Sequence, residues 1–299
     1  MSKTFSVKKT SMRSNRDGYI LLTTILIIAM VSILTVGLAR QSMNMAIAAR
    51  SSQHQLQEKW GASSCQRVAL ASQGALLNPR VWDADQQTWT VAPIANSASS
   101  FELGEMRFNI RLSDESAKLN MNQVYAQQGK QKTSQLVQKF SRTESLVVNL
   151  KELISANQRG SAEDRFESWG QVFEVRNGQL ELSDLRDATD SLTCWGSQLN
   201  YRTASEPVLV ETCKPIIGAS MTQRLLGILK SDDASEWESQ LLAAGAKSDR
   251  VQDLSEVLTG RSGTQSVWVE SVLNLRRRNW LTVRERIAQS LHRIHSFSW

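Results

Sequence analysis

The longest apolar run in the chain extends from Tyr19 to Ala39, where 21 residues include no charged side chain. A helix needs about 20 apolar residues to cross a bilayer, whereas the core of a cleaved signal peptide has about 7–15. The run therefore predicts a membrane-spanning helix, and a secretory signal cut near Ala46 is the competing interpretation. The basic leader before the run predicts that the chain after Arg40 lies outside the cytoplasm.

The helix is expected to continue beyond the membrane, because no proline occurs between Tyr19 and Asn78. The pair Asn78-Pro79 then predicts its end, since a residue before proline avoids helical angles. Small and apolar residues recur at helical spacing in the second half. They predict one face that packs on a sheet, and they are Leu56, Trp60, Ser64, Val68, Ala71 and Ala75.

Alternating polar and apolar residues predict strands on both sides of a helical region. Residues 105–112 alternate without a fault, and residues 267–276 and 280–287 read as two further strands joined by Arg-Arg-Arg-Asn at 276–279. His292 and His295 follow in an expected exposed tail. Residues 120–262 between the strands have helical character, which indicates a helical insertion into a sheet and an α+β fold.

Charge and composition exclude several functions. The chain has a formal net charge of +6, but its first 18 residues carry five basic side chains against one acidic. The rest lacks the clustered basic face of a nucleic-acid-binding protein. Three histidines, no glycine-rich phosphate loop and no Gly-x-Ser-x-Gly motif argue against an enzyme.

Cysteines and aspartates supply the remaining candidate chemistry. Cys194 and Cys213 are the natural disulfide pair of an exported chain and Cys65 is left over, although three buried thiols are the alternative. Asp184, Asp187 and Asp190 are candidate calcium ligands. Their spacing does not match an EF-hand, so a solvated acidic surface is the alternative and the metal stays unassigned.

Motifs along the chain resemble a known family. A leader ending in Gly18, an apolar helix and a β domain form the layout of type IV pilins and type II secretion pseudopilins. The segment DESAKLNMN after a strand resembles the hallmark of the minor pseudopilin protein K, and LNYRTASEPVLV resembles its second motif, with Arg202 in place of an asparagine. The matching residues are Asp114, Glu115, Lys118, Leu119, Asn120, Asn122, Asn200, Thr203 and Ala204.

The resemblance implies a domain organisation. A long helix, transmembrane in its first half, would lie on a small antiparallel sheet into which a large α-helical domain is inserted. The expected boundaries are a leader 1–18, a transmembrane part 19–39, an outer helical part 40–78, a first β part 79–115, an α-helical insertion 116–262 with subdomains that begin near 119 and 199, and C-terminal strands 263–299.

The resemblance also implies processing at the leader. Prepilin peptidase would cut after Gly18, leaving Tyr19 as a methylated N-terminus. The fifth residue of the mature chain is Thr23, where most pilins have a glutamate that pairs with the amino terminus of the subunit above. Protein K also lacks this glutamate and is placed at the tip of the pseudopilus.

The implied function is therefore that of a minor pseudopilin of the type II secretion system, which initiates pseudopilus assembly and supports export of folded proteins. Expected partners are the I-type and J-type minor pseudopilins, the major pseudopilin, prepilin peptidase and the inner membrane of a Gram-negative bacterium, with a periplasmic C-terminal domain. A minor pilin of a type IV pilus is the first alternative, and a membrane-anchored periplasmic hydrolase the second.

Overall fold

The structure is a computed structural model that describes residues 14–83, 87–141, 146–153, 165–175, 182–231, 234–274, 276–286 and 291–298. The chain divides into two compact units, residues 1–59 and residues 60–299. Most of the predicted leader lies outside the described residues.

The described part of the first unit, residues 14–59, is helical. It belongs to helix α1 (Ser14–Ala71), which begins in the predicted leader, passes through Gly18 and Tyr19 without a break and ends in the second unit. Of the helices in the described ranges, this one is long and apolar enough to cross a membrane. A short helix α2 (Gln73–Leu77) follows α1 and ends directly before Asn78-Pro79.

The second unit contains a five-stranded antiparallel sheet. Its strands are β3 (Asn96–Leu103), β4 (Met106–Asp114), β11 (Thr264–Leu273), β12 (Arg276–Arg286) and β13 (His292–Ser298). Their order in the sheet is β13-β12-β11-β4-β3. Two strands precede the helical insertion and three follow it, so the chain leaves the sheet and returns to it. A separate hairpin precedes them and consists of β1 (Arg80–Asp83) and β2 (Thr88–Val91).

The C-terminal half of α1 packs on one face of the sheet through small residues. Ala62, Cys65 and Ala69 are buried against a cluster that includes Phe108 and Val269. Small side chains allow the helix to approach the sheet closely. Their burial removes apolar surface from water, which stabilises the contact at about 25 cal/mol per Å².

The prediction of which face of α1 packs on the sheet is wrong. All six residues of the predicted face are exposed, with Trp60 at 70% and Val68 at 64% exposure. The opposite face packs on the sheet because it contains Gly61, which lets the helix approach Phe108 closely. Any larger residue would clash there, since an added Cβ at position 61 would lie 2.9 Å from Phe108 Cε1. The predicted face, which carries the large side chains of Trp60 and Val68, is exposed, and we define the exposed stripe as Trp60, Ser64 and Val68.

The predicted strand pattern is correct in part. The alternating residues 105–112 correspond to β4, but β3 and β13 were not predicted. The basic segment 276–279 was predicted as a connection, yet it forms the start of β12 and pairs with residues 270–273 of β11. The predicted tail is strand β13, so His292 and His295 lie on the edge of the sheet.

The insertion consists of two subdomains that are built alike. Each subdomain begins with a two-residue strand that pairs in parallel with a two-residue strand at its end. In the first subdomain β5 (Leu119–Asn120) pairs with β8 (Leu192–Thr193). In the second β9 (Leu199–Asn200) pairs with β10 (Leu258–Thr259). The first also contains α3 (Met121–Ser141), the pair β6 (Leu146–Val148) and β7 (Phe173–Val175), and α4 (Leu182–Ala188). The second contains α5 (Glu206–Leu229), α6 (Trp237–Ala243) and α7 (Ser248–Val257).

The first long helix of each subdomain bends at a glycine. Gly129 in α3 has a φ of 73° and Gly218 in α5 has a φ of 78°, values that favour glycine. Four residues later a threonine hydroxyl donates to the glycine carbonyl, Thr133 Oγ1 at 2.8 Å and Thr222 Oγ1 at 2.7 Å. The two Leu-Asn segments therefore begin repeated substructures.

Candidate functional site

The candidate site lies where the sheet meets the insertion, at the end of β4. Asp114 accepts hydrogen bonds from Ser116 N at 2.9 Å, Asn200 Nδ2 at 2.9 Å, Thr203 Oγ1 at 2.9 Å and Ser262 Oγ at 2.7 Å. Its exposure is only 1%. One carboxylate thus joins the first motif, the second motif and the loop that leads into β11.

Burial controls the electrostatics of Asp114. Loss of water raises the pKa of this carboxyl above its ordinary value, although the four donors act in the opposite direction. An ionised carboxylate has about four acceptor positions, and all are used here. The group therefore has no free position for acid–base chemistry and serves as a structural junction.

The neighbouring residues of the first motif form a second buried polar contact. Glu115 Oε1 accepts from Lys118 Nζ at 2.6 Å and from Ser266 Oγ at 2.5 Å on β11. Both members of this ion pair are buried. Breaking such a pair is costly because it leaves an uncompensated charge inside the protein.

Asparagines of the first motif organise the start of the insertion. Asn120 Oδ1 accepts from Asn122 N at 2.9 Å and Gln123 N at 3.2 Å, which caps the N-terminus of α3. Asn122 Nδ2 donates to Phe166 O at 3.1 Å and Cys194 O at 2.8 Å, so it ties α3 to the rest of its subdomain. Leu119 is buried in the core of the insertion.

Residues of the second motif begin the second subdomain. Asn200 Oδ1 accepts from Arg202 N at 3.2 Å, and Ala204 N donates to Asn200 O at 2.9 Å. Arg202, the residue that departs from the family pattern, is exposed, so the change does not disturb the buried junction. A cavity of about 620 Å³ adjoins this turn and Asp114.

Sequence reasoning missed the serines of the junction. Ser116 Oγ accepts from Gly263 N at 3.1 Å and Thr264 N at 3.2 Å, while Ser262 bonds to Asp114. The segment Gly260 to Gly263, a few residues before the predicted strand 267–276, was the available signal that the chain turns there.

At the other predicted site, Thr23 lies on α1 and its hydroxyl is satisfied locally. Thr23 Oγ1 donates to Tyr19 O at 3.0 Å and Ile20 O at 2.9 Å. A threonine can therefore enter an apolar environment without a partner from another chain. Gly18 and Tyr19 are helical residues, and cleavage between them stays a prediction.

The calcium site stays a prediction, because the structure describes the side chains of only two of its three candidate ligands. Asp190 Oδ1 pairs with Arg111 Nη2, and Asp187 Oδ1 lies 3.6 Å from Arg186 Nε. The side chain of Asp184 lies outside the described residues. Within the described ranges no group of three or more His, Cys, Asp or Glu side chains could hold a metal ion.

The structure departs from the predicted disulfide. Cys194 and Cys213 are free and buried in the core of the insertion, and Cys65 is free and buried on the face of α1 that packs on the sheet. Burial raises the pKa of Cys65 to about 11 and that of Cys213 to about 12. Such thiols act as small apolar core residues.

Comparison with known proteins identifies the fold. No protein-family model matches the chain, and no curated protein matches it. Among solved structures, the chain is similar to one chain of the GspK-GspI-GspJ complex from the enterotoxigenic Escherichia coli type 2 secretion system. The TM-score is 0.51 at 14% sequence identity, over 84% of this chain and 99% of that chain.

The fold predicted from the sequence is confirmed. The α+β architecture, with its long N-terminal helix, is similar to that of a chain of the GspK-GspI-GspJ complex. At 14% identity, what the two chains share is their fold.

Proposed function

We propose that this chain is a minor pseudopilin of a type II secretion system, of the protein K type, and that it initiates pseudopilus assembly at the tip. The observation that carries the proposal is the helical insertion between β4 and β11 in a fold similar to a chain of the GspK-GspI-GspJ complex. Both motifs from which the resemblance was inferred meet at Asp114.

The leader and apolar helix support processing as a prepilin. Prepilin peptidase would cut between Gly18 and Tyr19 on the cytoplasmic side, leaving the apolar part of α1 in the inner membrane and the remaining domain in the periplasm. The mature Tyr19 would carry an N-methyl group. Cleavage and methylation need no catalytic group of the chain itself. We propose that the chain has a structural role and is not an enzyme.

Thr23 supports a position at the tip. A carboxylate at the centre of a membrane helix costs about 2.5–3.5 kcal/mol, so a glutamate is tolerable only with a partner. A tip subunit has no subunit above it to supply an amino terminus. The hydroxyl of Thr23 needs no such partner, because two carbonyls of its own helix accept its hydrogen bond.

The exposed stripe on α1 supports binding of other minor pseudopilins. Trp60 and Val68 are large, apolar and exposed, and they lie about two turns apart on the same face of α1. The similar chain was crystallised in a complex of GspK, GspI and GspJ. We therefore assign the stripe to I-type and J-type partners, with the major pseudopilin added below them and the insertion left free.

The test combines processing, partner binding and location. Full-length chain, co-expressed with prepilin peptidase and the I-type and J-type partners, should lose its first 18 residues and copurify with both partners in detergent. Trp60→Ala should reduce copurification at least tenfold, while Ile294→Ala, which removes an exposed apolar side chain on β13, should not.

Location in the fibre decides between tip and shaft. Gold labelling of overproduced pseudopili should place this chain at one end and in small numbers. Labelling along the shaft would overturn the tip assignment, and a mature N-terminus near Ala49 would overturn processing as a prepilin.

A further inference from the structure

A second cavity, of about 420 Å³, lies on the face of the sheet that is opposite to α1. Its volume falls within the range of small-molecule sites. Strands β3, β4, β11 and β12 form its floor and α4 contributes one wall. The lining residues that matter here are Ser100, Asn109, Arg186, Trp268, Glu270 and Asn279.

The charges around this cavity cancel. Three arginines face it or border it, and each is paired with a carboxylate: Arg111 with Asp190, Arg186 with Asp187, and Arg277 with Glu270. Among the described residues this arrangement is neutral. A free anion or cation would have to displace one of these pairs, so the cavity favours a neutral polar ligand.

One amide in the cavity is open to a ligand. Asn279 is only 8% exposed, and its side chain makes no hydrogen bond within the described ranges. Its amide is not among the solvent-excluded polar groups of the described residues, so it faces the open space of the cavity and can donate to or accept from a ligand there. Nearby, Asn109 Nδ2 donates to Glu270 Oε2 at 2.8 Å, which holds a second amide and a carboxylate in place beside Asn279.

The lining combines planar hydrogen-bonding groups with an aromatic ring. Amides, guanidinium groups and a carboxylate can each bond two adjacent hydroxyls, and the Trp268 indole supplies apolar surface. A sugar ring carries hydroxyls around its edge and C–H groups on its faces. The cavity therefore has both kinds of surface that a saccharide requires.

We propose that this cavity binds a neutral saccharide of one or two rings. Asn279, Asn109 and the carboxylate of Glu270 bond its hydroxyls, and Trp268 contacts an apolar face of the ring. The site is independent of the stripe assigned to partner pseudopilins, so its test does not depend on that assignment.

Saturation-transfer NMR on the full-length chain measures this directly. The protein is kept in a detergent without a sugar headgroup, and glucose, N-acetylglucosamine and maltose are the probes, with triglycine as a neutral comparison. We expect transfer to at least one sugar and none to triglycine.

Two pocket variants and one control locate the binding. Ser100→Trp fills the cavity from an exposed position on β3, and Asn279→Ala removes the unpaired amide; each should reduce transfer at least fivefold. Ser296→Trp adds the same bulk at an exposed position on the other edge strand, β13, and should leave transfer unchanged. If Asn279→Ala does not fold, Ser100→Trp alone decides.

Three results would overturn the proposal. They are no transfer to any of the sugars, transfer to a sugar that persists in Ser100→Trp, and transfer to triglycine alone that Ser100→Trp abolishes. The last result would make the cavity a peptide site.

Discussion

Replacement of Asp114 by alanine should destabilise the second unit more than any exposed acidic substitution. The change removes the acceptor for four donors. The hydroxyls of Thr203 and Ser262 can rotate toward other acceptors, but the buried N–H of Ser116 and amide of Asn200 cannot.

The magnitude follows from these two donors. Each buried donor left without a partner costs about 1–3 kcal/mol, so we expect a loss of about 2–6 kcal/mol in the free energy of unfolding. Domains are stable by about 5–15 kcal/mol, which makes this a substantial fraction. With a urea m-value of about 3 kcal/mol/M, the midpoint should fall by roughly 0.7–2 M.

Tryptophan fluorescence during urea unfolding provides the assay, because Trp169 and Trp195 lie in the core of the insertion. Asp253→Ala is the matched control. Asp253 lies 3.6 Å from Arg250 on the exposed surface, and removing such a pair costs less than about 1 kcal/mol. If Asp114→Ala shifts the midpoint no further than Asp253→Ala, the junction does not stabilise the fold.

Three further outcomes are expected. Gly61→Ala should lower the free energy of unfolding by about 1–3 kcal/mol in thermal unfolding, because the added Cβ would overlap the Phe108 ring. The control Gly74→Ala has open space around it and should be neutral or stabilising, so equal effects of the two changes would contradict the close packing of α1. Burial raises the pKa of Asp114, so its contribution to stability is fully present below the unfolded pKa of about 4 and is lost as pH rises through the folded pKa. Urea midpoints should therefore show wild type losing stability relative to Asp114→Asn as pH rises above about 4, and a constant difference would argue against the raised pKa. All three cysteines should react with maleimide only after unfolding, and a disulfide-linked peptide in the unreduced protein would restore the predicted bond.

Patterns that depend on local chemistry were predicted well. The apolar run after Gly18 predicts a helix because its length and composition suffice, and the strict alternation around Phe108 predicts a buried strand. The two motifs around Asp114 and Asn200 were recognised as separate segments. Their meeting at one carboxylate involves residues 86 apart, which no local pattern specifies.

Patterns that depend on shape were predicted poorly. Apolarity pointed to Trp60 and Val68 as the packed face of α1, but the sheet accepts the face that brings Gly61 beside Phe108. Strand β3 was missed because all but one of its eight residues are exposed, so it shows no alternation. Arg276 to Arg278 were predicted as a turn because strands rarely begin with three charges, yet an exposed strand end can hold them in water.

The interrupted sheet has a consequence for the order in which the chain can fold. The contact between Ser116, just after β4, and Thr264, at the start of β11, joins residues that are 148 apart. Closing so long a loop costs about 4 kcal/mol of chain entropy. The insertion reduces this cost if it folds first, because the parallel strand pairs of its subdomains draw its two ends together. During synthesis, the edge of β4 that pairs with β11 must therefore stay open until residues 264–273 have emerged. A stalled chain would expose that edge to any other extended chain in reach.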